Sequence, residues 1–182
     1  AVIEAGNIRF GLEMRTVGPD GGIAIHVLGD IAGQEVELLA FDCFRTYPHY
    51  HYGPRSKNER IFWDTTLVPD TLSWTLDQFK SGRLPAMLER AGYPTIAAAL
   101  DGSLIAARLP EVEARTQAML QAHTAAMKNM FEETSMLSEG MDFREIGGWV
   151  YQRLVPLGGK DAPAPPAWLI PVLIRVVPQM RR

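Results

Sequence analysis

Between Ile8 and Phe44 the chain alternates apolar and polar residues and is interrupted twice by turn-forming residues, a combination few folds satisfy. Ile8, Phe10, Leu12 and Met14 mark every second position of a first strand from Ile8 to Val17, the period that puts side chains on one face of an extended chain. Gly18-Pro19-Asp20-Gly21-Gly22 follows. Proline presets φ and glycine accepts positive φ, so the chain turns back there. Ile23, Ile25 and Val27 set a second strand, and residues Gly29 to Gly33 turn the chain again. Val36 to Phe44 forms a third, with Leu38, Ala40, Asp42 and Phe44 on one face and Leu39, Phe41 and Cys43 on the other. Arg60 to Asp64 is a short fourth. A parallel pair needs a crossover of a dozen or more residues, so strands joined this tightly run antiparallel. The expected fold class is α+β, opening with an antiparallel meander of about four strands.

After Pro69 the period changes to that of a helix. Asp70 reads as an N-cap, and Leu72, Leu76 and Phe79 fall at helical spacing up to Gly82. Leu84, Met87, Leu88 and Ala91 form a second helix closed by Gly92, and Pro94 opens a short alanine-rich turn that ends near Asp101-Gly102. Residues 1–102 thus read as a sheet-and-helix module. Residues 103–157 read as a helical extension, with a long helix from Pro110 to about Gly140 that lacks internal proline and glycine. A shorter helix then starts at the Asp142/Glu145 capping box and stops at Pro156. Such a long helix exceeds the size of a module of roughly 100 residues, whose radius of gyration is about 13 Å. Residues 158–182 carry a proline-rich linker and an apolar tail containing Trp168, Leu169, Ile170, Val172, Leu173 and Ile174. The expected partner is therefore a second copy or another subunit, bound through the long helix and the tail.

Composition narrows the setting. A formal charge of −3 and a pI of about 5.8 over 182 residues lack the basic excess of a nucleic-acid binder. No apolar run approaches the roughly 20 residues of a membrane span. With one cysteine, Cys43, and no signal-like pattern from Ala1 to Asn7, a cytoplasmic protein is expected.

Chemistry concentrates in Tyr47-Pro48-His49-Tyr50-His51-Tyr52-Gly53-Pro54, which holds two of the four histidines and three of the five tyrosines. On an extended chain His49 and His51 share one face and Tyr50 and Tyr52 the other. Two imidazoles presented this way, completed by a carboxylate from Asp42 or Asp64, suit a divalent iron, manganese, zinc or nickel ion. His49, His51 and Tyr50 are the expected catalytic residues. Tyr52, Arg55, Arg60 and Trp63 are the expected substrate-binding set, the aromatics for packing and the arginines for an anionic group. A plainer account makes the tyrosines cross-strand packing and the arginines solvated charge. In the long helix Met119, His123, Met127 and Met130 fall on one face, the spacing of an apolar seam with one histidine rather than of a Cu(I) or haem site. Cys43 would need His49 or His51 as its base to be a nucleophile. The expected function is metal-dependent enzymology or small-molecule binding on the His49/His51 face. The alternative is a non-catalytic oligomeric subunit.

Overall fold

The computed structural model describes residues 1–17, 20–53, 57 and 59–136, with backbone alone for 127, 128 and 130–136. The Asp142 cap, the linker and the apolar tail lie outside the described residues. Within them the fold is α+β. Six strands, β1 (Val2–Ala5), β2 (Ile8–Val17), β3 (Asp20–Ile31), β4 (Gln34–Phe44), β5 (His49–Tyr52) and β6 (Ile61–Phe62), pair in sequence order, every neighbour antiparallel. The meander thus has two more strands than about four, because Val2–Ala5 folds onto β2 and the tyrosine-histidine run is itself a strand. Arg60 to Asp64 shortens to Ile61–Phe62. Ala32 and Gly33, both at positive φ (52° and 77°), make the two-residue turn between β3 and β4. Two such residues match the right-handed twist of the flanking strands.

Four helices follow: α1 (Thr71–Lys80), α2 (Leu84–Arg90), α3 (Pro94–Ala98) and α4 (Gly102–Met136). Asp70 caps α1 as expected, its carboxylate accepting from the Ser73 N–H at 2.9 Å. One face of the sheet packs on the helices. Phe10, Ile25, Val27, Leu39 and Phe41 meet Leu72, Leu76, Phe79 and Leu88 there, and the Phe79 ring lies 5.4 Å from Phe10 and 5.3 Å from Phe41.

Two expectations about the helices change. The long helix begins at Gly102, not Pro110, and runs through that proline. Asp101 caps it, accepting from the Leu104 N–H at 3.0 Å and the Ser103 hydroxyl at 2.6 Å. Proline cannot donate the one bond an N–H would make there. The buried stripe of Ile105, Leu109, Val112 and Thr116 continues across it and outweighs that loss. The same stripe corrects the view of residues 103 onward as an extension beyond the module, since Ile105, Leu109 and Val112 belong to its core. Met119 packs at the margin of that core and His123 is half-buried.

A third difference lies in β4. The register with β3 passes from Val27↔Leu39 to Leu28↔Glu37, leaving Leu38 as the extra residue of a β-bulge. Leu38 therefore joins Leu39 in the core instead of sharing a face with Ala40 and Asp42, and both leucines are fully buried. Gly29 makes room for it: a Cβ there would stand 2.8 Å from Leu38 Cδ1. No helix among the described residues is long and apolar enough to cross a membrane.

Leu109→Ala is expected to cost about 2–5 kcal/mol, the range for a buried leucine truncation, measured by urea unfolding of the full chain. A chain ending at Asp101 is expected to lose cooperative unfolding. A cooperative transition in that truncated chain would return α4 to the status of an appendage.

A candidate metal centre on the face opposite the helices

The site is built on two adjacent strands, β4 and β5. In the β4–β5 register Asp42 stands across from His49, and Ala40 across from His51. Period-two alternation puts all four side chains on the sheet face turned away from the helices. The small side chain of Ala40 leaves room for the His51 ring, and the two imidazole centroids are 5.0 Å apart. His49 Nε2 lies 3.2 Å and His51 Nε2 3.6 Å from the same atom, Asp42 Oδ2. One ligand-type atom from each of the three residues falls within 4.8 Å of the others. The cluster is sheltered, with side-chain exposures of 4% for Asp42, 9% for His49 and 19% for His51.

Asp42 and His49 are each held from behind. Arg15 on β2 donates from Nη1 to Asp42 Oδ1 at 3.0 Å, which leaves Oδ2 facing the two imidazoles. The Tyr47 carbonyl accepts from His49 Nδ1 at 2.8 Å. Tyr47 is itself fixed by Asp20, a buried residue that accepts from the Thr46 N–H at 2.9 Å and the Tyr47 N–H at 2.7 Å. Phe44 and Phe62 wall the His49 ring at 5.8 and 5.3 Å.

The electrostatics follow from this packing. Burial opposes ionisation of Asp42, but the hydrogen bond from His49 and the charge of Arg15 outweigh it and hold the carboxyl below its ordinary range. The Asp42 carboxylate raises the proton affinity of His49 against the opposing effect of burial. His51 goes the other way, lowered by burial and by its charged neighbour His49. The two imidazoles are therefore inequivalent.

A cleft of about 180 Å³ opens over the cluster, and Arg60, Glu37, Tyr52 and Gly53 are among its walls. The bulge at Leu38 is what turns Glu37 onto this face, a known use of bulges. There its Oε2 accepts from His26 Nδ1 at 2.8 Å. His26 Nε2 is buried without a hydrogen-bond partner among the described residues, and Glu13 Oε2 stands 3.6 Å away. His26 carries no partner signal in the sequence, since Glu37 reaches it only through the bulge, and Asp20 reads there only as a turn residue.

Other expected site residues are elsewhere. Asp64 is exposed in the turn after β6, accepting from the Thr66 N–H at 2.9 Å and its hydroxyl at 2.6 Å, and takes no part in the cluster. Tyr50 faces the helices, 4.9 Å from Trp63 and 6.0 Å from Phe41 and Trp74 between ring centroids. Alternation separates Tyr50 from the imidazoles, and Trp63 joins it in that aromatic core instead of lining a pocket. Tyr52 borders the cleft with the Arg90 guanidinium 5.4 Å from its ring centroid. Arg55 lies outside the described residues. Cys43 also faces the helices, 3.6 Å from Thr75 Oγ1, and burial pushes its thiol up to about 12. Neither imidazole is on that side to activate it. His123 belongs to no cluster of metal-ligand type among the described residues, and burial together with Arg45 lowers its proton affinity.

Fold and site together define a helix-backed antiparallel sheet bearing an Asp-His-His cluster. The chain belongs to the DUF7700 family, a domain of unknown function, whose model matches residues 2–116. That span takes in the whole sheet, α1 to α3 and the core-facing start of α4. No curated protein and no solved structure matches the chain.

The raised proton affinity of His49 fixes the sign of a pH effect in chelator-treated protein. Its ion pair with Asp42 stabilises the fold fully below the ordinary histidine value of about 6.5, and that stabilisation fades as pH rises through the folded-state value. The stability advantage of wild type over His49→Gln is therefore expected to shrink between about pH 6 and pH 9 in urea unfolding. A gap that widens with pH would show that His49 folds as the neutral form.

Proposed function

We propose that the chain is a metal-dependent small-molecule-binding protein, most simply an enzyme. Asp42 Oδ2, His49 Nε2 and His51 Nε2 are its ligands to one divalent transition-metal ion. The orientation of His49 supports this most directly. A carbonyl can only accept, so the Tyr47 carbonyl commits His49 Nδ1 as the donor. The neutral ring then presents the Nε2 lone pair to the Asp42 carboxylate 3.2 Å away. Two lone pairs facing each other at that distance call for a cation between them, either a proton or a metal. Metal-bound histidines characteristically donate their other N–H to a carbonyl or carboxylate, and ligating carboxylates are themselves hydrogen-bonded. Tyr47 and Arg15 fill those two supporting roles here.

Two imidazoles and one carboxylate suit iron, manganese, zinc or nickel and leave coordination positions for water or substrate. Bound there, such an ion would polarise a substrate oxygen or lower the pKa of a water. The chain's own part is to hold three donors on the sheet and shield the His49 ring with Phe44 and Phe62.

The length of α4 supports a second, compatible reading. At 35 residues it is roughly 50 Å long at about 1.5 Å per residue, well beyond the sheet it packs on. Self-association or attachment to another subunit through this helix and residues 158–182 would give that length a purpose, and light scattering on the full chain tests it.

Tag-free full-length protein is expected to take up about one equivalent of Zn(II) or Fe(II) by elemental analysis after desalting. His49→Ala, His51→Ala and Asp42→Asn are each expected to lose it while keeping the wild-type circular dichroism. Arg15→Ala is expected to weaken the metal by about 10–100-fold, the usual effect of removing a supporting partner. Wild type that stays metal-free at tenfold excess Zn(II) and Fe(II) sinks the metal reading.

A further inference from the structure

We infer that the cleft takes a small carboxylate ligand, its charged end held by Arg60 while a neighbouring oxygen and one carboxylate oxygen reach the metal. This rests on the metal reading above and goes beyond it by naming the chemical class of the ligand.

Charge is the first reason. A divalent ion with one carboxylate and two neutral imidazoles retains one net positive charge. Arg15, bonded to the same carboxylate at 3.0 Å, adds a second beside it. A sheltered, low-dielectric site with that surplus favours an anion. A cation among the cleft's walls is the second reason. Arg60 immediately precedes β6 and lines the cleft with the cluster. A guanidinium so placed offers a planar fork that matches a carboxylate.

Size is the third. At about 180 Å³ the cleft falls below the 300–1,000 Å³ of sites for drug-sized ligands and holds the volume of about six waters. That suits a hydroxy or keto acid of a few carbons. Glu37 and Glu59 also border the cleft. Formally these two carboxylates offset two of the three positive charges of the metal centre, Arg15 and Arg60, which leaves room for one anion. They penalise a second negative group, which favours a monoanion.

The probe is lactate, a weak hydroxy-carboxylate chelator, with neutral lactamide as its uncharged counterpart. Both are titrated into the full-length chain loaded with Co(II), and the cobalt d–d spectrum is read. Lactate is expected to perturb the spectrum and to bind at least tenfold more tightly than lactamide. Arg60→Ala is expected to bind Co(II) at least as well as wild type, to lose lactate affinity about tenfold, and to bind lactamide unchanged. Arg60→Lys is expected to recover part of the lactate affinity. Equal lactate affinity in wild type and Arg60→Ala overturns the inference while leaving the metal reading intact, as does an equal loss for lactate and lactamide. Wild type that binds no Co(II) removes the metal reading, and this inference with it.

Discussion

The buried carboxylate of Asp42 is the group on which the rest of the site depends. At 4% exposure it has almost no water to solvate it, and a lone charge in such a place costs several kcal/mol. It is kept ionised by three partners on two other strands: Arg15 from β2, reaching across β3, and His49 and His51 from β5. Those contacts tie three strands together through one group. They also divide its two oxygens, one to the guanidinium and one to the imidazoles. Removing one partner leaves the buried charge less fully offset, so the arrangement tolerates little drift in register. A polar cluster with that requirement is a poor way to gain stability alone, since apolar residues of similar volume usually do as well. The metal role proposed above would give such a cluster a purpose other than stability.

The bulge at Leu38 shapes the remainder of the cleft. Strict alternation would carry Leu38 to the same face as Ala40 and Asp42 and turn Glu37 toward the core. Burying Leu38 beside Leu39, in the space left by Gly29, keeps both leucines out of water. One skipped ladder position is a small cost against burying Leu38, worth about 1.5–3 kcal/mol. The consequence on the other face is a second carboxylate, Glu37, with His26 bonded behind it. The face opposite the helices thereby carries three of the chain's four histidines, although only two are close in sequence.

The loop before β5 supplies rigidity where a loop would ordinarily not. Asp20 binds the Thr46 and Tyr47 amides from the start of β3, and the Tyr47 carbonyl in turn fixes the His49 ring. A turn residue 29 positions upstream of His49 thus sets the orientation of a candidate ligand. On the helix side the same strands present Tyr50, Cys43 and Phe41, and there the chemistry is packing: stacked rings and a thiol that burial keeps protonated.

Much of this was legible in the chain itself. Turn-bounded alternation required an antiparallel meander, helical spacing and the Asp70 cap placed α1, and H-x-H alternation put His49 and His51 on one face with Tyr50 on the other. These are short-range consequences of backbone geometry, and they survive folding because the side chains they bury or expose agree with them. Asp42 and Asp64 were equivalent on sequence, and only the pairing of Asp42 with His49 separated them. Pro110 looked like a beginning because its local cost is visible, whereas the burial of Ile105, Leu109 and Val112 that overrides it is not. Glu37, His26 and Asp20 gave no local sign at all. Their partners lie 11 and 26 to 27 residues away, joined by strand register and one bulge, and register is settled by the summed burial of a whole sheet face, a quantity no short stretch of sequence contains.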